Sequence, residues 1–345
     1  MSTQRAGVLA GGPVFAHGFS WRKRALVREF TGRGDIRFMR HGAAVRSESC
    51  LLLWGSVPVP AGVPAGVQVV RLEDGFLRSV GLGADLTRPL SWVLDDVGIY
   101  YDATTSSALE NLLNRRDADV PQLARAALFR ERIVESGLTK YNLASAAWRR
   151  PEGARTIVLV PGQVESDASI ASGTVDVRTN VGLLQAVRAA RPDAWIVYKP
   201  HPDVVAGLRG PGVGEDQAQR WCDEVIHGGS MHDLLQQVDE VHVMTSLAGF
   251  EALLRHKKVA CYGLPFYAGW GLTEDRHPHS RRLPGLSLNQ LVAGALIDYP
   301  VYLSRATRQR CSPEQALDEL LAWRARTPQG IARWRKWLRP LIARP

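Results

Sequence analysis

Short runs of apolar residues alternate along the chain with longer segments in which apolar positions recur every three or four residues. Runs of the first kind are typical of buried strands, and segments of the second kind are typical of amphipathic helices. Their alternation predicts an α/β fold built from βαβ units over parallel sheets. The clearest predicted strands are 37–39, 50–54, 67–72, 156–161, 194–199, 240–244 and 259–262.

Helical segments fill the intervals between these runs. The pattern predicts helices over 180–191 and 247–254, and over 106–135 with a break at Pro121, because proline interrupts a helix interior. Ser312 has the position of an N-cap and marks a further helix start. We expect an N-terminal lobe, a C-terminal lobe and a tail, with the boundaries 1–150, 151–320 and 321–345.

Composition and charge narrow the class of protein. The chain is 45% hydrophobic and 22% charged, which is typical of a globular protein and excludes a disordered or fibrous one. The formal net charge of +9 is unevenly distributed, with +6 in 1–150, −4 in 151–320, and seven cations without an acid in 321–345. Basic ends around an acidic middle predict an anionic partner.

The cysteines indicate a reducing compartment. Cys50, Cys222, Cys261 and Cys311 form no C-x-x-C pair and no metal-ligand spacing, so we expect neither a disulfide framework nor a structural zinc site. The most apolar long stretch, 51–70, contains three prolines, which suit a membrane span poorly. We therefore expect a cytoplasmic protein that is at most peripheral at the inner membrane.

Two adjacent carboxylates follow the predicted strand 67–72. Glu73 and Asp74 stand at a glycine-rich strand-to-loop junction, where a carboxylate can act as a general base. Arg78 can bind a substrate carboxylate through a bidentate fork. The alternative is a solvated loop with a surface ion pair, and the spacing by itself slightly favours this alternative.

In the second lobe, candidate residues follow the ends of predicted strands, where open α/β sheets bind their ligands. Asp167 lies on the loop after 156–161, where an aspartate can attack an anomeric carbon; a helix cap or Asx-turn is the alternative. His201 stands between two prolines and close to Lys199, and a rigid imidazole beside a cation suits phosphate binding. A purely structural histidine is the alternative, and the strand-end position favours the functional interpretation.

Two further segments have the composition of a nucleotide site. Thr245 and Ser246 stand between a predicted strand and a helix, so that hydroxyls, free amides and the helix dipole can hold a phosphate, although simple N-capping explains them equally well. Residues 262–273 mix aromatic rings with glycines. Such a loop lets the backbone approach a ligand while rings wall a nucleobase pocket, and a packed surface loop is the alternative.

The tail has the pattern of a basic amphipathic helix. Its apolar side chains fall on one face at helical spacing, and its cations point elsewhere. This segment either lies on an anionic membrane or packs against the first lobe, and Pro340 disturbs a continuous helix. The apolar positions are Ile331, Trp334, Trp337, Leu338, Leu341 and Ile342.

Six strings, taken in order, resemble the capsule polysaccharide biosynthesis β-Kdo transferases of the KpsC type. The resemblance extends over about residues 18–320, and six ordered strings of this length are a specific match. Typical relatives hold two such modules in tandem, whereas this chain resembles one, the second, which is associated with the β-(2→7) linkage. The strings are EDGFLRSVGLG at 73–83, DVGIYYD at 96–102, PGQVESDASI at 161–170, YKPHPD at 198–203, HVMTSLAGFEALL at 242–254 and YGLPFYAGWGLT at 262–273.

The resemblance implies a fold and a reaction. The fold is GT-B-like, with two Rossmann-like lobes facing a cleft, the first binding acceptor and the second binding donor, followed by C-terminal helices. The reaction is a retaining transfer of Kdo from CMP-β-Kdo to a lipid-linked, Kdo-terminated acceptor. Donor, acceptor and phosphate are all anionic, so cationic side chains are needed to bind them in one site. The basic stretch 22–46 holds eight cations against two acids. We expect no metal, no other cofactor and no nucleic-acid partner.

The same resemblance implies roles for individual residues. Asp167 is the nucleophile that forms a glycosyl-enzyme intermediate, His201 assists the departing phosphate, and Glu73 or Asp74 does the acid/base work. Arg78, Arg22 and Lys23 are assigned to the substrate carboxylate or the acceptor. The donor-binding set is Gln163, Lys199, His201, Pro202, Thr245, Ser246, Glu251, Gly263, Pro265, Tyr267, Gly269 and Trp270.

Two other functions stay open at this point. One is a different CMP- or UDP-sugar transferase that uses the same lobes. The other is a non-catalytic basic module that binds nucleic acid or membrane, but its cations do not interleave with aromatic residues as nucleic-acid binding favours.

Overall fold

The computed structural model describes residues 9, 11–39, 45–79, 88–139, 148–153 and 155–326. Its strands are β1 Val14–His17, β2 Arg37–Phe38, β3 Cys50–Trp54, β4 Gln68–Asp74, β5 Ser91–Asp95, β6 Ile157–Pro161, β7 Trp195–Lys199, β8 Glu224–Val225, β9 Glu240–Val243, β10 Lys258–Cys261, β11 Glu274–Asp275, β12 Pro300–Leu303 and β13 Arg310–Cys311. Its α-helices are α1 Lys23–Thr31, α2 Ala108–Arg115, α3 Val120–Glu135, α4 Ala168–Gly173, α5 Asn180–Ala190, α6 Pro202–Val205, α7 Met231–Gln237, α8 Leu247–Leu254, α9 Leu288–Val292 and α10 Pro313–Arg326. A 3₁₀ helix at Glu215–Arg220 and a π-helix at Ala293–Asp298 complete the elements.

The described residues divide into two compact units. The first takes in those of Met1–Arg78, Pro89–Ala127 and Asn289–Ala322, and the second takes in those of Ser79–Arg88, Leu128–Leu288 and Trp323–Pro345. This division differs from the sequence-based boundaries at 150 and 320. The physical reason is that β12 pairs with β5, which returns the chain after residue 288 to the first sheet.

The first unit contains a seven-stranded sheet in the order β13-β12-β5-β4-β3-β1-β2. Strands β1 to β4 pair in parallel, whereas β5 is antiparallel to both β4 and β12. The sheet is therefore mixed, and the expectation of a wholly parallel sheet is corrected here. Its core lies where Phe30 of α1 stacks on Trp92 of β5, with ring centroids 4.6 Å apart.

The second unit contains a six-stranded sheet in the order β11-β10-β9-β6-β7-β8, with every pairing parallel. Continuous apolar runs form its central strands, as buried parallel strands require. Leu183, Leu184 and Val187 of α5 are fully buried against this sheet. An α/β fold with two sheets rich in parallel strands is thus confirmed.

Local signals account for most helix boundaries. The side chain of Ser107 caps α2, and that of Thr179 caps α5. The break predicted at Pro121 lies earlier, because α2 ends at Arg115 and Pro121 occupies the first turn of α3, where a missing N–H costs no hydrogen bond. The predicted tail helix over 321–345 overlaps the end of α10, and residues 327–345 lie outside the described residues.

Candidate functional site

In the second unit, four strand-end loops meet at the carboxyl edge of the parallel sheet. Two glycines show how closely these loops pack. A Cβ on Gly162, after β6, would lie 2.6 Å from the Tyr198 hydroxyl and 3.2 Å from the backbone nitrogen of His201. A Cβ on Gly263, after β10, would lie 2.7 Å from the carbonyl oxygen of Gly173 and 2.9 Å from that of Met244. Side chains on the loops after β6, β7, β9 and β10 are therefore brought together.

Gln163 fixes the geometry of this edge. Its side chain exchanges two hydrogen bonds with Thr245, since Nε2 donates to Thr245 Oγ1 and the Thr245 amide donates to Oε1, both at 2.9 Å. Its backbone exchanges two more with the Asn180 side chain, also at 2.9 Å. Two side-chain and two backbone hydrogen bonds of the buried Gln163 therefore link the β6 loop to the starts of α5 and α8, so Gln163 positions other residues of the edge.

Asp167 stands at the N-cap position of α4, directly after that loop. Its backbone is extended, with φ −70° and ψ 146°, and its side chain makes no cap hydrogen bond. The carboxylate is half-buried, and among the described residues it has neither a hydrogen-bond partner nor an ion-pair partner. The Asx-turn or cap alternative therefore does not account for this side chain, which is free to contact a ligand.

His201 and Lys199 have defined partners. The Nδ1 atom of His201 accepts the backbone N–H of Asp203 at 3.1 Å, which leaves Nε2 as the protonated donor of the neutral ring. Pro202 occupies the first position of α6. Burial lowers the pKa of Lys199 to about 8, and its Nζ donates to the carbonyl of Gly228. The loop thus places an imidazole and a partly desolvated cation at the sheet edge.

The start of α8 is compatible with both interpretations of Thr245 and Ser246, namely phosphate binding and simple N-capping. Ser246 is the N-cap, and its Oγ accepts the Ala248 N–H at 3.3 Å. Thr245 Oγ1 accepts from Gln163, so its own hydroxyl hydrogen is not used in that bond. Glu251 lies in α8 and is buried, with Arg255 at the end of the helix. The helix start retains backbone amides that suit an anion.

The aromatic loop after β10 is packed inward. Tyr267 and Trp270 have no exposed surface; the Tyr267 hydroxyl donates to the Ser246 carbonyl, and Trp270 Nε1 donates to the Phe266 carbonyl at 2.8 Å. Burial raises the pKa of Tyr267 well above its ordinary value. This differs from the expectation that these rings wall an open nucleobase pocket. The Tyr267 ring instead supports the α8 start, and the Trp270 ring is bonded to the backbone of its own loop.

The remaining residues of that loop shape its backbone. The carbonyl of Pro265 accepts from the buried Arg282 guanidinium. Gly269 has φ +84°, and its N–H donates to Asp275 at 2.8 Å. A left-handed backbone at this point requires glycine. At Gly263 the loop lies close to Met244 and Thr245, which follow β9.

In the first unit, the acidic pair lies at the carboxyl end of β4. Both carboxylate oxygens of Asp74 accept hydrogen bonds. Oδ2 accepts from Arg78 Nε at 2.7 Å, and Oδ1 accepts from Trp92 Nε1 at 3.1 Å. Arg78 is 8% exposed. The two residues predicted for acid/base work and for the substrate carboxylate therefore hold one another in a buried network.

Glu73 lies close to Gly55 and Tyr101. One oxygen, Oε1, accepts the Asp74 N–H at 2.9 Å. A Cβ on Gly55 would lie 2.9 Å from the other oxygen, Oε2, and 2.8 Å from the hydroxyl of Tyr101. Gly55 has φ +51° and directly follows β3. Burial and the Glu73 charge raise the pKa of Tyr101. A side chain at Gly55 would thus collide with both a carboxylate and a phenol.

Lys23 and Arg22 begin α1. The Nζ of Lys23 lies 3.0 Å from the centroid of the Trp54 ring. Burial lowers the pKa of Lys23 to about 8, against the opposing attraction of Glu73 and Asp74. Arg22 is exposed and lies over Trp21, 5.2 Å from its ring centroid. Lys23 therefore lies with Glu73 and Asp74 in one group, called the carboxylate cluster below. Arg22 lies at the outer margin of this cluster.

Asp95 holds the turn that carries Tyr101. Its carboxylate is 1% exposed and accepts the hydroxyl of Tyr299 at 2.7 Å. Nearby, the Tyr100 hydroxyl donates to the Asp74 carbonyl at 3.5 Å. The turn is thereby fixed beside the acidic pair. The other donors to Asp95 are the backbone N–H groups of Val97, Gly98 and Ala108.

The structure thus brings the predicted site residues together in two groups, one on each sheet. The sequence reasoning missed Trp54, Gly55 and Tyr101 in the first group and Asn180 in the second. A Trp-Gly pair at a strand end and the double tyrosine in 96–102 were the available signals. Among the described residues, no cluster of three or more His, Cys, Asp or Glu side chains could hold a metal ion. Within the same residues, no helix is both long and apolar enough to cross a membrane.

Comparison with known proteins adds the family. The family model described as "Capsule polysaccharide biosynthesis protein" matches residues 59–140 and 123–302. The chain belongs to this family. The resemblance drawn from the six strings is confirmed. Within the family, the chain is 42% identical over 320 residues to "Capsule polysaccharide modification protein LipA" of Neisseria meningitidis, covering 90% of this chain and 46% of that protein.

Other members of the family are similar over comparable lengths. "Lipopolysaccharide-processing protein LpsZ" of Rhizobium meliloti is 36% identical, with 90% of this chain and 74% of that protein covered. Two solved structures of Thermosulfurimonas dismutans KpsC also match. The β Kdo 2,7 transferase is 41% identical with a TM-score of 0.75, covering 90% of this chain and 99% of that one. The β Kdo 2,4 transferase is 32% identical with a TM-score of 0.78, covering 90% and 98%. The chain spans about half the length of the LipA relatives.

Proposed function

We propose that this chain is a retaining β-Kdo transferase that uses CMP-β-Kdo and a Kdo-terminated, lipid-linked acceptor. The observation that carries the proposal is the uncommitted carboxylate of Asp167 on a sheet edge that also presents His201, Lys199 and the start of α8. Similarity to two solved Kdo transferases supports the sugar. The higher identity to the 2,7 transferase supports a β-(2→7) linkage.

In the proposed first step, Asp167 attacks C2 of the donor. A bond forms between a carboxylate oxygen and C2, the bond from C2 to the phosphate oxygen breaks, and CMP leaves with the electron pair. The α8 amides, the His201 Nε2–H and the Lys199 ammonium stabilise the departing phosphate. These groups supply the positive charge that the leaving group needs, so we propose a metal-independent reaction.

In the proposed second step, an acceptor hydroxyl displaces Asp167 from C2 and loses its proton to Glu73. Glu73 lies beside Asp74 at the carboxyl end of β4 and accepts the Asp74 N–H through Oε1. Lys23 attracts the acceptor's carboxylate. Two displacements restore the original configuration at C2. The acceptor-binding role of the first unit and a GT-B-like arrangement of the two units are parts of the same proposal.

The test combines transfer assays with mass spectrometry. Asp167→Ala is expected to abolish transfer from CMP-Kdo to a Kdo-terminated acceptor without changing the thermal unfolding temperature, because the carboxylate has no partner to lose among the described residues. Asp216→Asn, at an exposed carboxylate of the 3₁₀ helix, is the matched control. Near-normal turnover of Asp167→Ala refutes the assignment.

Two further measurements test the remaining parts. Intact-protein mass spectrometry of the wild type with donor alone should detect one added Kdo residue, and this adduct should be absent from Asp167→Ala. Competition among CMP- and UDP-sugars identifies the donor class. Loss of transfer with chelator, followed by recovery with manganese, contradicts metal independence.

A further inference from the structure

Four arginines line a groove of the first unit that has no part in the proposed transfer. The groove has a volume of about 420 Å³ and lies between the end of α1 and the connection from β12 to β13. Four guanidinium groups against the two carboxylates of Glu29 and Asp35 leave this surface with a net positive field. The lining residues are Arg28, Glu29, Gly32, Arg33, Gly34, Arg308, Gln309 and Arg310.

The groove is separate from the carboxylate cluster. Lys23, the first residue of α1, lies against Trp54 at the end of β3. A nine-residue helix is about 14 Å long, so the end of α1 lies roughly that far from Lys23. Arg33 reaches the carbonyl of Gly12, which precedes β1, at 2.9 Å. One ligand group cannot be bound by Lys23 and Arg33 together, so the basic stretch 22–46 serves two places.

Two of the four arginines are held in fixed positions. Arg33 forms a bidentate pair with Asp35, with both nitrogen-to-oxygen distances at 2.8 Å. Arg310 Nη2 donates to the carbonyls of Phe30 and Thr31 at 3.0 and 3.3 Å. A fixed guanidinium loses less side-chain entropy when it binds a ligand.

The other two arginines are exposed, and the groove is open. Arg28 and Arg308 both have exposed side chains. A Cβ built on Gly32 or on Gly34 would have no atom within 4 Å. The groove therefore has room for a ligand beside two solvated cations.

The chemistry of the lining selects the ligand class. Guanidinium groups match the oxygens of phosphate in a planar fork, and arginine is favoured over lysine where that recognition matters. A groove of this volume is larger than a single phosphate ion. We propose that it binds a phosphate ester carried by a larger molecule, independently of the nucleotide donor. The same chemistry occurs in an anionic phospholipid headgroup and in a soluble phosphate ester.

The experiment separates these sources. Binding of the full chain is measured to vesicles of phosphatidylglycerol in phosphatidylcholine, to phosphatidylcholine alone, and by calorimetry to glycerol 3-phosphate. The test variant is Arg28→Gln with Arg308→Gln. The control, Arg155→Gln with Arg220→Gln, removes the same charge from exposed positions of the second unit. Thermal unfolding checks that both variants are folded.

We expect the test variant to lose at least tenfold in affinity for the phosphate ligand that the wild type binds, while the control loses less than twofold. Loss on vesicles alone identifies the lipid headgroup, and loss on glycerol 3-phosphate identifies a soluble ester. Equal losses in the two variants mean that net charge alone is responsible and overturn the proposal. It is also overturned if the wild type binds neither ligand.

Discussion

A methyl group at Gly55 should test whether transfer depends on the positions of Glu73 and Tyr101. Its carbon would lie 2.8 Å from the Tyr101 hydroxyl and 2.9 Å from Glu73 Oε2. Ordinary carbon-to-oxygen contact needs roughly 0.5 Å more, so either the carboxylate or the phenol must move. Misplacement of a reacting group by 1 Å can cost about a hundredfold in rate. We expect Gly55→Ala to reduce kcat/KM for the acceptor about tenfold.

The substitution also strains the backbone, so it needs a matched control. Gly55 has φ +51°, and alanine in the left-handed region costs about 1–2 kcal/mol in unfolding free energy. Gly62 has φ +84°, and a Cβ there would meet no atom within 4 Å. Gly62→Ala therefore carries the backbone strain without displacing a neighbouring group.

The assay compares acceptor kcat/KM and urea denaturation for wild type, Gly55→Ala and Gly62→Ala. We expect similar losses of unfolding free energy in the two variants and a loss of transfer in Gly55→Ala alone. Values of acceptor kcat/KM that lie within twofold of each other in the two variants would refute the reasoning that transfer depends on the position of Glu73 beside Gly55.

Three further predictions concern the described side chains. Burial lowers the pKa of Lys23 from 10.5 to about 8, so between these values the unfolded chain holds a proton that the folded chain lacks, and the unfolding free energy rises with pH. Lys23→Met should flatten that rise in urea titrations at pH 7.5 and 10, and an unchanged rise contradicts the assignment. Gly249→Ala places a Cβ 2.3 Å from the Tyr267 hydroxyl and should cost about 1–3 kcal/mol. Adding Tyr267→Phe should make the combined loss smaller than the sum, whereas additive losses argue against the clash. Asp95→Asn leaves buried donors of the turn unsatisfied and should cost about 3 kcal/mol by calorimetry, and a loss below about 1 kcal/mol shows that the carboxylate is not needed there.

The elements with local signals were predictable. Strand Cys50–Trp54 and helix Leu247–Leu254 have the predicted bounds, because one is a continuous apolar run and the other begins at a hydroxyl N-cap. Strand Pro300–Leu303 was missed. It is short and begins with proline, and its identity depends on pairing with Ser91–Asp95 some 200 residues earlier.

The parts of the candidate site that follow from the sheet topology alone were predictable. Parallel strands end at the same edge, so the loops with Asp167, His201 and Thr245 were expected to meet. The bonds between Gln163 and Thr245 join residues 82 apart, and no local pattern encodes them.

Two other features depend on tertiary packing. The engagement of Asp74 by Trp92 depends on the antiparallel register of β4 and β5. The inward packing of Tyr267 and Trp270 could not be inferred from the sequence, because an irregular loop has no periodicity that separates its faces.

The return of the chain to the first sheet has a consequence for synthesis. Until residues 300–303 leave the ribosome, β5 lacks its outer neighbour and Trp92 sits in an uncovered edge strand. The second unit lies within the interval 128–288 apart from short flanking pieces, so its sheet is fully synthesised first. Folding during translation should therefore finish with the first unit, although the chain of that unit begins to be synthesised first. This is the reverse of the usual order, in which N-terminal domains fold first.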